Sequence, residues 1–324
     1  MPDSYNRPVG VVLMTMGDAS TTAGVLPFLV RLFSDPAIIR APWFVRYPLS
    51  LYIAIKKLPK MLSRYKAIGG GSPMNAITSR QAEALQARLS GFGNFRVYVA
   101  NRYCSPDTRD AYRRMKSEGI KTVVALPLFP QYSTATTGSS FMALERLIKD
   151  DKDPPDVIWL RGFADEPCYV RAFSRKLLEA IAEFPEDERT DVQVLFSAHS
   201  LPHEFIKDGD PYLDEIRKSL TGVLRIVKPA CFHLCFQSKG GGRREWLKPE
   251  TDEVLAKLAE KGRTKAVIAP VSFVAENIET LYDADIYYRE MAARLGFKGF
   301  VRVKCIDDDP EFIEGLAGMV VGSL

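Results

Sequence analysis

Several whole classes of protein are excluded by what this sequence lacks. It holds no run of about 20 uncharged apolar residues, the length a membrane-spanning helix needs. Its most apolar stretch outside the strand-like runs, residues 42–62, is interrupted by Arg46, Lys56 and Lys57. The opening MPDSYNRP has no basic stretch leading into an apolar core, so it does not read as a secretory signal. No Lys/Arg tail or run occurs, and 44 Lys+Arg against 40 Asp+Glu leave a net charge of +4, which gives no case for nucleic acid as a partner. The five cysteines, Cys104, Cys168, Cys231, Cys235 and Cys305, are odd in number and scattered, as expected of reduced thiols rather than a disulfide framework. A cytoplasmic protein is expected. There is no short-period repeat, and the glycines at 69–71 fit neither G-x-G-x-x-G nor a Walker A loop.

What is present reads as an ordinary globular chain. Its 324 residues are 46% hydrophobic and 26% charged, room for about two domains of ~150 residues. Strands are predicted at 9–16, 96–101, 122–128, 157–160, 192–197, 232–236, 266–271 and 300–305. Runs such as VVLM, VVAL and VIAPV are continuously apolar, which suits parallel strands covered on both faces. Amphipathic helices are predicted between them at 78–89, 108–117, 139–148, 167–182, 211–224, 251–261 and 276–295. This alternation predicts an α/β fold of two flavodoxin-like (Rossmann-like) lobes, 1–163 and 164–324, with parallel sheets facing a central cleft. The last helix, 310–321, is expected to pack back on lobe one.

The unusual polar motifs fall where strands end: Gly17, Arg102–Tyr103, PQYS, Ser197-Ala-His199-Ser, the segment opening at Gln237 and VAENIE. Ligands of open parallel sheets bind outside the carboxyl ends of the strands. Of three histidines, His199 follows the apolar run VLFSA and reads either as a proton acceptor or metal ligand, or as a hydrogen-bonded structural residue. His203 follows Pro202 and reads as surface. Cys231, His233 and Cys235 share one strand face, a zinc pattern without a fourth ligand, and read first as core. Glu276, Glu279 and Asp283 fall on one helical face just past a buried strand, where a carboxylate row could take protons or guide cations; the plain alternative is a solvated face. The glycines at 69–71 before Ser72, and more weakly those at 240–242, read as an anion-binding helix start or a tight turn. Residues 43–62 mix bulky apolar side chains with a basic end. They read as a core helix, or as an exposed lip for a flat hydrophobic ligand or a weak peripheral membrane contact.

Taken together, these motifs resemble the ferrochelatase family. VVLMTMGDAS, IGGGSPMNAITSRQAEAL, ANRYCSPDTRDAY, LPLFPQYSTATTGSS, VLFSAHSLP, GDPY, FQSKGGGRREWLKPETDE and VSFVAENIETLYDADIYY run in that family's order. The resemblance implies two Rossmann-like lobes of the chelatase type. It also implies a lyase that inserts ferrous iron into protoporphyrin IX, the terminal step of haem biosynthesis, with coproporphyrin as the alternative substrate. It maps His199 and Glu279 as the catalytic pair and metal contacts, and Asp283 as a further metal or proton relay. Met16, Lys57, Lys60, Tyr65, Ser72, Arg102, Tyr103, Ser133 and Trp246 map as substrate contacts. Lys57 stands where relatives carry Arg, keeping the charge without the bidentate fork. Asn277 stands where many relatives carry His, which removes a proton acceptor there. Some relatives hold an iron–sulfur cluster on a loop cysteine and a C-terminal cysteine tail. Here the loop has Thr134 and no cysteine follows Cys305, so no cluster and no resident cofactor is expected; ferrous iron is a substrate. A non-catalytic porphyrin carrier would not need both His199 and Glu279, a periplasmic-type binding protein would carry an export signal, and cobalt or nickel chelatases lack the SAHSLP and IETLYD pair.

Overall fold

In the β-rich segments the chain places six consecutive buried residues where VGVVLMT forms the first strand, a pattern that needs cover on both faces of a sheet. The computed structural model describes residues 8–240 and 244–324. Its strands are β1 (Val9–Thr15), β2 (Phe95–Asn101), β3 (Thr122–Pro127), β4 (Asp156–Trp159), β5 (Gln193–His199), β6 (Cys231–Gln237), β7 (Lys265–Pro270) and β8 (Gly299–Arg302). They form two four-stranded sheets, ordered β2-β1-β3-β4 and β6-β5-β7-β8. Every pairing is parallel, with Val9 opposite both Phe95 and Thr122, and Gln193 opposite both Cys231 and Ala266. Both sheets therefore repeat one order, 2-1-3-4, the first four strands of the flavodoxin order. The chain reverses direction across β1 and β3 in one sheet and across β5 and β7 in the other. Ligand crevices form at such switch points, beyond the carboxyl ends of the strands.

Helices cover the sheets: α1 (Val25–Phe33), α2 (Trp43–Ala67), α3 (Met74–Leu89), α4 (Thr108–Ser117), α5 (Ser139–Lys149), α6 (Pro167–Ala182), α7 (His203–Lys207), α8 (Tyr212–Val227), α9 (Thr251–Glu260), α10 (Tyr288–Arg294) and α11 (Pro310–Gly322). α1 falls in an apolar stretch for which no helix is predicted from sequence. α2 runs 25 residues through Pro48 and Pro59. The helix expected over 276–295 is corrected: it opens as a π-helical segment, Glu279–Tyr287, and becomes regular only at α10.

Two units divide the chain, one running to Gly162 and including Asp307–Leu324, the other Phe163–Ile306. The closing segment belongs with the first unit because α11 packs on α3. There Arg80 grips Asp308 at 3.1 Å, Gln81 donates to the Asp307 carbonyl at 2.8 Å, and Arg88 pairs with Glu314. The first sheet is packed against Tyr112, Met115 and Leu144, the second against Leu255, Leu258, Tyr288 and Ala292. Among the described residues no helix is long and apolar enough to cross a membrane.

Candidate active site

The candidate residues divide between the units. In the first unit, β1 ends in a turn that carries Met16. Thr15 donates its hydroxyl to Asn101 at 2.9 Å and accepts from the Gly17 amide at 2.9 Å. Gly17 has φ +69°, and a Cβ there would lie 2.1 Å from the Cys104 sulfur, so only glycine fits this left-handed turn. Beyond the strand ends, the Arg102 amide donates to Thr15 and the Tyr103 amide to Met16. This backbone pairing sets the Arg–Tyr pair beside the half-buried Met16.

Arg102 and Tyr103 are held from below by Asp35, a buried aspartate that follows α1. Its Oδ2 accepts from Arg102 Nη2 at 2.8 Å and from the Tyr103 hydroxyl at 2.8 Å. Tyr103 is 1% exposed; burial, then the Asp35 charge, push its phenol well above the ordinary range. Tyr65 is also fully buried, and its hydroxyl donates to Asp18 in the turn after Met16. Ser72 is buried with its amide on the Ala19 carbonyl at 2.9 Å. The glycines at 69–71 form a tight turn, and a Cβ on Gly71 would meet the Ser20 carbonyl oxygen at 1.9 Å. Ser133 is buried and accepts from the Ala135 amide at 3.1 Å, capping the π-helical turn Thr134–Gly138. Of the nine mapped substrate contacts, these four buried ones brace the loops, while Met16, Lys57, Lys60, Arg102 and Trp246 keep exposed surface.

Lys57 and Lys60 lie on α2. Lys57 stands over the Phe33 ring, 5.9 Å from its centroid. Partial burial, then Lys60 and Arg64, lower its pKa. The first half of α2 leaves Trp43, Phe44, Tyr47, Tyr52 and Ile55 largely in water, with Trp43 74% exposed.

In the second unit, His199 closes β5 and Glu279 opens the π-helical segment after β7, so both stand at the β5/β7 switch point. His199 Nδ1 lies 2.7 Å from Glu279 Oε2, and both side chains are partly exposed, 35% and 27%. Burial opposes a charge on His199, but the Glu279 charge and hydrogen bond, with Asp283, outweigh it and raise its pKa above 6.5. Tyr212, from GDPY, donates to the His199 carbonyl at 3.0 Å and bonds Ser272 at 2.8 Å. Asp283 is buried and accepts from Ser238, a residue with φ +61°, at 3.0 Å.

The expected acidic row is corrected at its first member. Glu276 precedes the π-helical segment, and its carboxylate turns to Arg302 Nη1, at 2.7 and 3.0 Å, to the Cys305 amide at 3.0 Å and to Thr280 at 2.6 Å. Asn277 caps that segment instead of relaying protons: its Oδ1 accepts from the Glu279 amide at 2.8 Å and the Thr280 amide at 3.3 Å. A cap of this kind fixes the backbone from which Glu279 projects.

Trp246 is held by pairing of its segment with the SLP run: the Leu247 amide donates to Leu201, and the His203 amide to Glu245. Its ring packs so closely on Gly240 that a Cβ there would meet it at 2.4 Å. Gly241 and Gly242, in the weaker glycine reading, lie outside the described residues. His203 is exposed at the start of α7. His233 bonds Gln193 at 3.0 Å, and burial pushes the Cys235 thiol up to about 12. Among the described residues no group of three or more His, Cys, Asp or Glu side chains stands close enough to hold a metal ion. Neither the Cys231, His233 and Cys235 set nor the His199, Glu279 and Asp283 set makes one. Reading the sequence missed Asp35 and Arg302, which belong to no motif, and gave no role to Asp18, Tyr212 and Ser238 although VVLMTMGDAS, GDPY and FQSKGGG drew attention to their segments.

The family model for ferrochelatase matches residues 8–324. A ferrochelatase of Citrifermentans bemidjiense is 41% identical over 311 residues, 96% of this chain and 96% of that one. A ferrochelatase of Gloeobacter violaceus is 39% identical over 322 residues, 98% of each. Among solved structures, SirB from Bacillus subtilis with Fe3+ superposes with a TM-score of 0.55 at 10% identity, covering 98% of this chain and 95% of that one. That likeness speaks for the fold alone, two four-stranded parallel sheets in the chelatase manner. The match from residue 8 to the last residue, with about two in five positions identical along the full length of curated relatives, makes this chain a member of the ferrochelatase family.

Proposed function

We propose that this protein is a lyase that inserts ferrous iron into protoporphyrin IX, yielding protohaem and two protons, the terminal step of haem biosynthesis. The observation that carries the reading is the 2.7 Å contact of His199 with Glu279 at the end of β5. Pyrrole N–H groups are poor acids, so the reaction needs positioned acceptors. A neutral imidazole takes a proton at its free nitrogen, and the adjoining carboxylate stabilises the imidazolium that results. Asp283, one turn on, is the next carboxylate for proton or metal. Lys57, Lys60 and Arg102 carry charges suited to the acidic groups of a porphyrin, and Met16 and Trp246 offer polarisable or aromatic surface for its ring. Tyr65, Ser72, Tyr103 and Ser133 brace those contacts. In this reading ferrous iron is a substrate, no resident cofactor takes part, and the enzyme works in the cytoplasm with α2 in weak contact with a membrane surface.

The test is anaerobic ferrous insertion followed by porphyrin absorbance, with protoporphyrin and coproporphyrin side by side. The reading expects kcat/KM higher for protoporphyrin. Preferential metallation of coproporphyrin would reassign the substrate and the pathway step; tight porphyrin binding without insertion would make the protein a carrier.

A further inference from the structure

We infer that Asp35 is the positioning residue for Arg102, fixing the plane of its guanidinium for an acceptor group of the substrate. This rests on reading Arg102 as a substrate contact. Asp35 belongs to no motif of the sequence and touches no strand end by covalent connection; it follows α1 in FSDP. Its side chain has no exposure. A buried carboxylate is costly unless fully paired, and here four donors converge on it. Oδ2 accepts from Arg102 Nη2 at 2.8 Å, the Tyr103 hydroxyl at 2.8 Å and the Ser139 hydroxyl at 2.5 Å, and Oδ1 accepts from the Ala37 amide at 2.8 Å.

The Ser139 hydroxyl that donates to Asp35 also accepts from Arg102 Nε at 2.8 Å. Arg102 is therefore held at two nitrogens of one edge, by an aspartate and by a serine that the same aspartate orients. A planar group fixed at two points of one edge has a fixed plane. Among the described residues its Nη1 has no protein partner, and the side chain is 24% exposed. The free donors thus point away from the anchored edge with their direction already set. Tyr103 completes the support. Its ring lies 5.3 Å from the Arg102 guanidinium carbon and meets Phe28 edge to face at 6.2 Å. Three separate segments, after α1, after β2 and at the start of α5, are needed to build this anchor. The arrangement leaves little rotamer freedom to lose when a ligand binds, which lowers the cost of binding.

A double-mutant cycle tests the inference: Asp35→Asn, Arg102→Gln and the pair, with KM for porphyrin, kcat and thermal unfolding measured on each. Asp35→Asn keeps the shape and removes the charge. It is expected to raise KM about 10-fold with kcat changed less than about 3-fold. In the Arg102→Gln background the same change is expected to move KM by less than about 2-fold. Ser139→Ala cuts the second hold while leaving the buried carboxylate paired, so it keeps the inference testable if Asp35→Asn folds poorly. It is expected to raise KM about 3-fold, again only when Arg102 is present. An Asp35→Asn or Ser139→Ala effect that adds in full to that of Arg102→Gln, or an unchanged KM in a folded Asp35→Asn, overturns the inference alone. An unchanged KM in Arg102→Gln overturns it together with the reading of Arg102 as a substrate contact.

Discussion

His199 gathers opposing influences at one imidazole. Burial disfavours its charge, while Glu279 at 2.7 Å and Asp283 favour it, and the balance raises its pKa above 6.5. In linkage terms the pair contributes stability that is fully present below the unfolded imidazole's value and is lost as pH rises through the raised folded value. As a proton acceptor His199 must be neutral, so the insertion rate is expected to rise with pH through that same raised value. With only three histidines in the chain, NMR titration reads this directly. His199 should titrate above 6.5 in the wild type. In Glu279→Gln it should titrate lower, because burial remains and the neighbouring charge is gone. A wild-type value at or below 6.5 would contradict this account of the pair. His199 was legible as a strand-end residue because it follows the apolar run VLFSA and closes β5, whereas Glu279 lies well beyond the end of β7 and was singled out only by its acidic row and by the family resemblance. Asp35 was not legible: its importance lies in donors 68 and 104 positions away along the chain, and no local pattern encodes such a convergence.

At the scale of elements, strand ends and one irregular helix set the chemistry. The inner strands β1, β3, β5 and β7 were readable because residues covered on both faces must be apolar almost without interruption, while the edge strands β2, β4, β6 and β8 are only partly covered and were read from their place in the alternation with helices. The π-helical opening at Glu279 was not, because period-3.6 reasoning assumes regular pitch and places Glu276 on the same face as Glu279. In the fold Glu276 instead anchors the approach to that helix through Arg302, whose side chain is 7% exposed against 12% for Glu276. Removing Glu276 would leave Arg302, among the described residues, with only the partly exposed Asp285 as an acidic partner, 3.3 Å from its Nε, at a cost of about 3 kcal/mol, the lower end of the range for breaking a buried pair. Glu276→Ala is therefore expected to lower the urea midpoint of the second unit by a corresponding amount, and adding Arg302→Met should recover part of the loss. A stability change below about 1 kcal/mol would show that the pair is not the anchor described, since that is the value of an exposed ion pair.

At the scale of the whole molecule, the two sheets repeat one strand order, and the composition left a mild charge and no spanning helix. The sequence nonetheless suggested a surface for α2, and its first half exposes Trp43, Phe44, Tyr47, Tyr52 and Ile55 ahead of Lys56, Lys57 and Lys60. Apolar side chains beside lysines suit an anionic lipid interface. Flotation with vesicles containing anionic phospholipid is expected to carry part of the protein upward, less at high salt, and Trp43→Glu with Phe44→Glu should abolish it. Wild-type protein left wholly unbound would reject that contact.

The proposed chemistry turns on His199 taking a proton that iron displaces while Glu279 stabilises the imidazolium that results. The most direct measurement is single-turnover ferrous insertion, without oxygen, by His199→Ala and Glu279→Gln under porphyrin saturation, with porphyrin affinity determined separately. Each variant is expected to bind porphyrin within about 3-fold of the wild type and to insert iron about 10²–10⁴-fold more slowly, the range lost with a positioned proton acceptor. Insertion at the wild-type rate by either variant would contradict that chemistry.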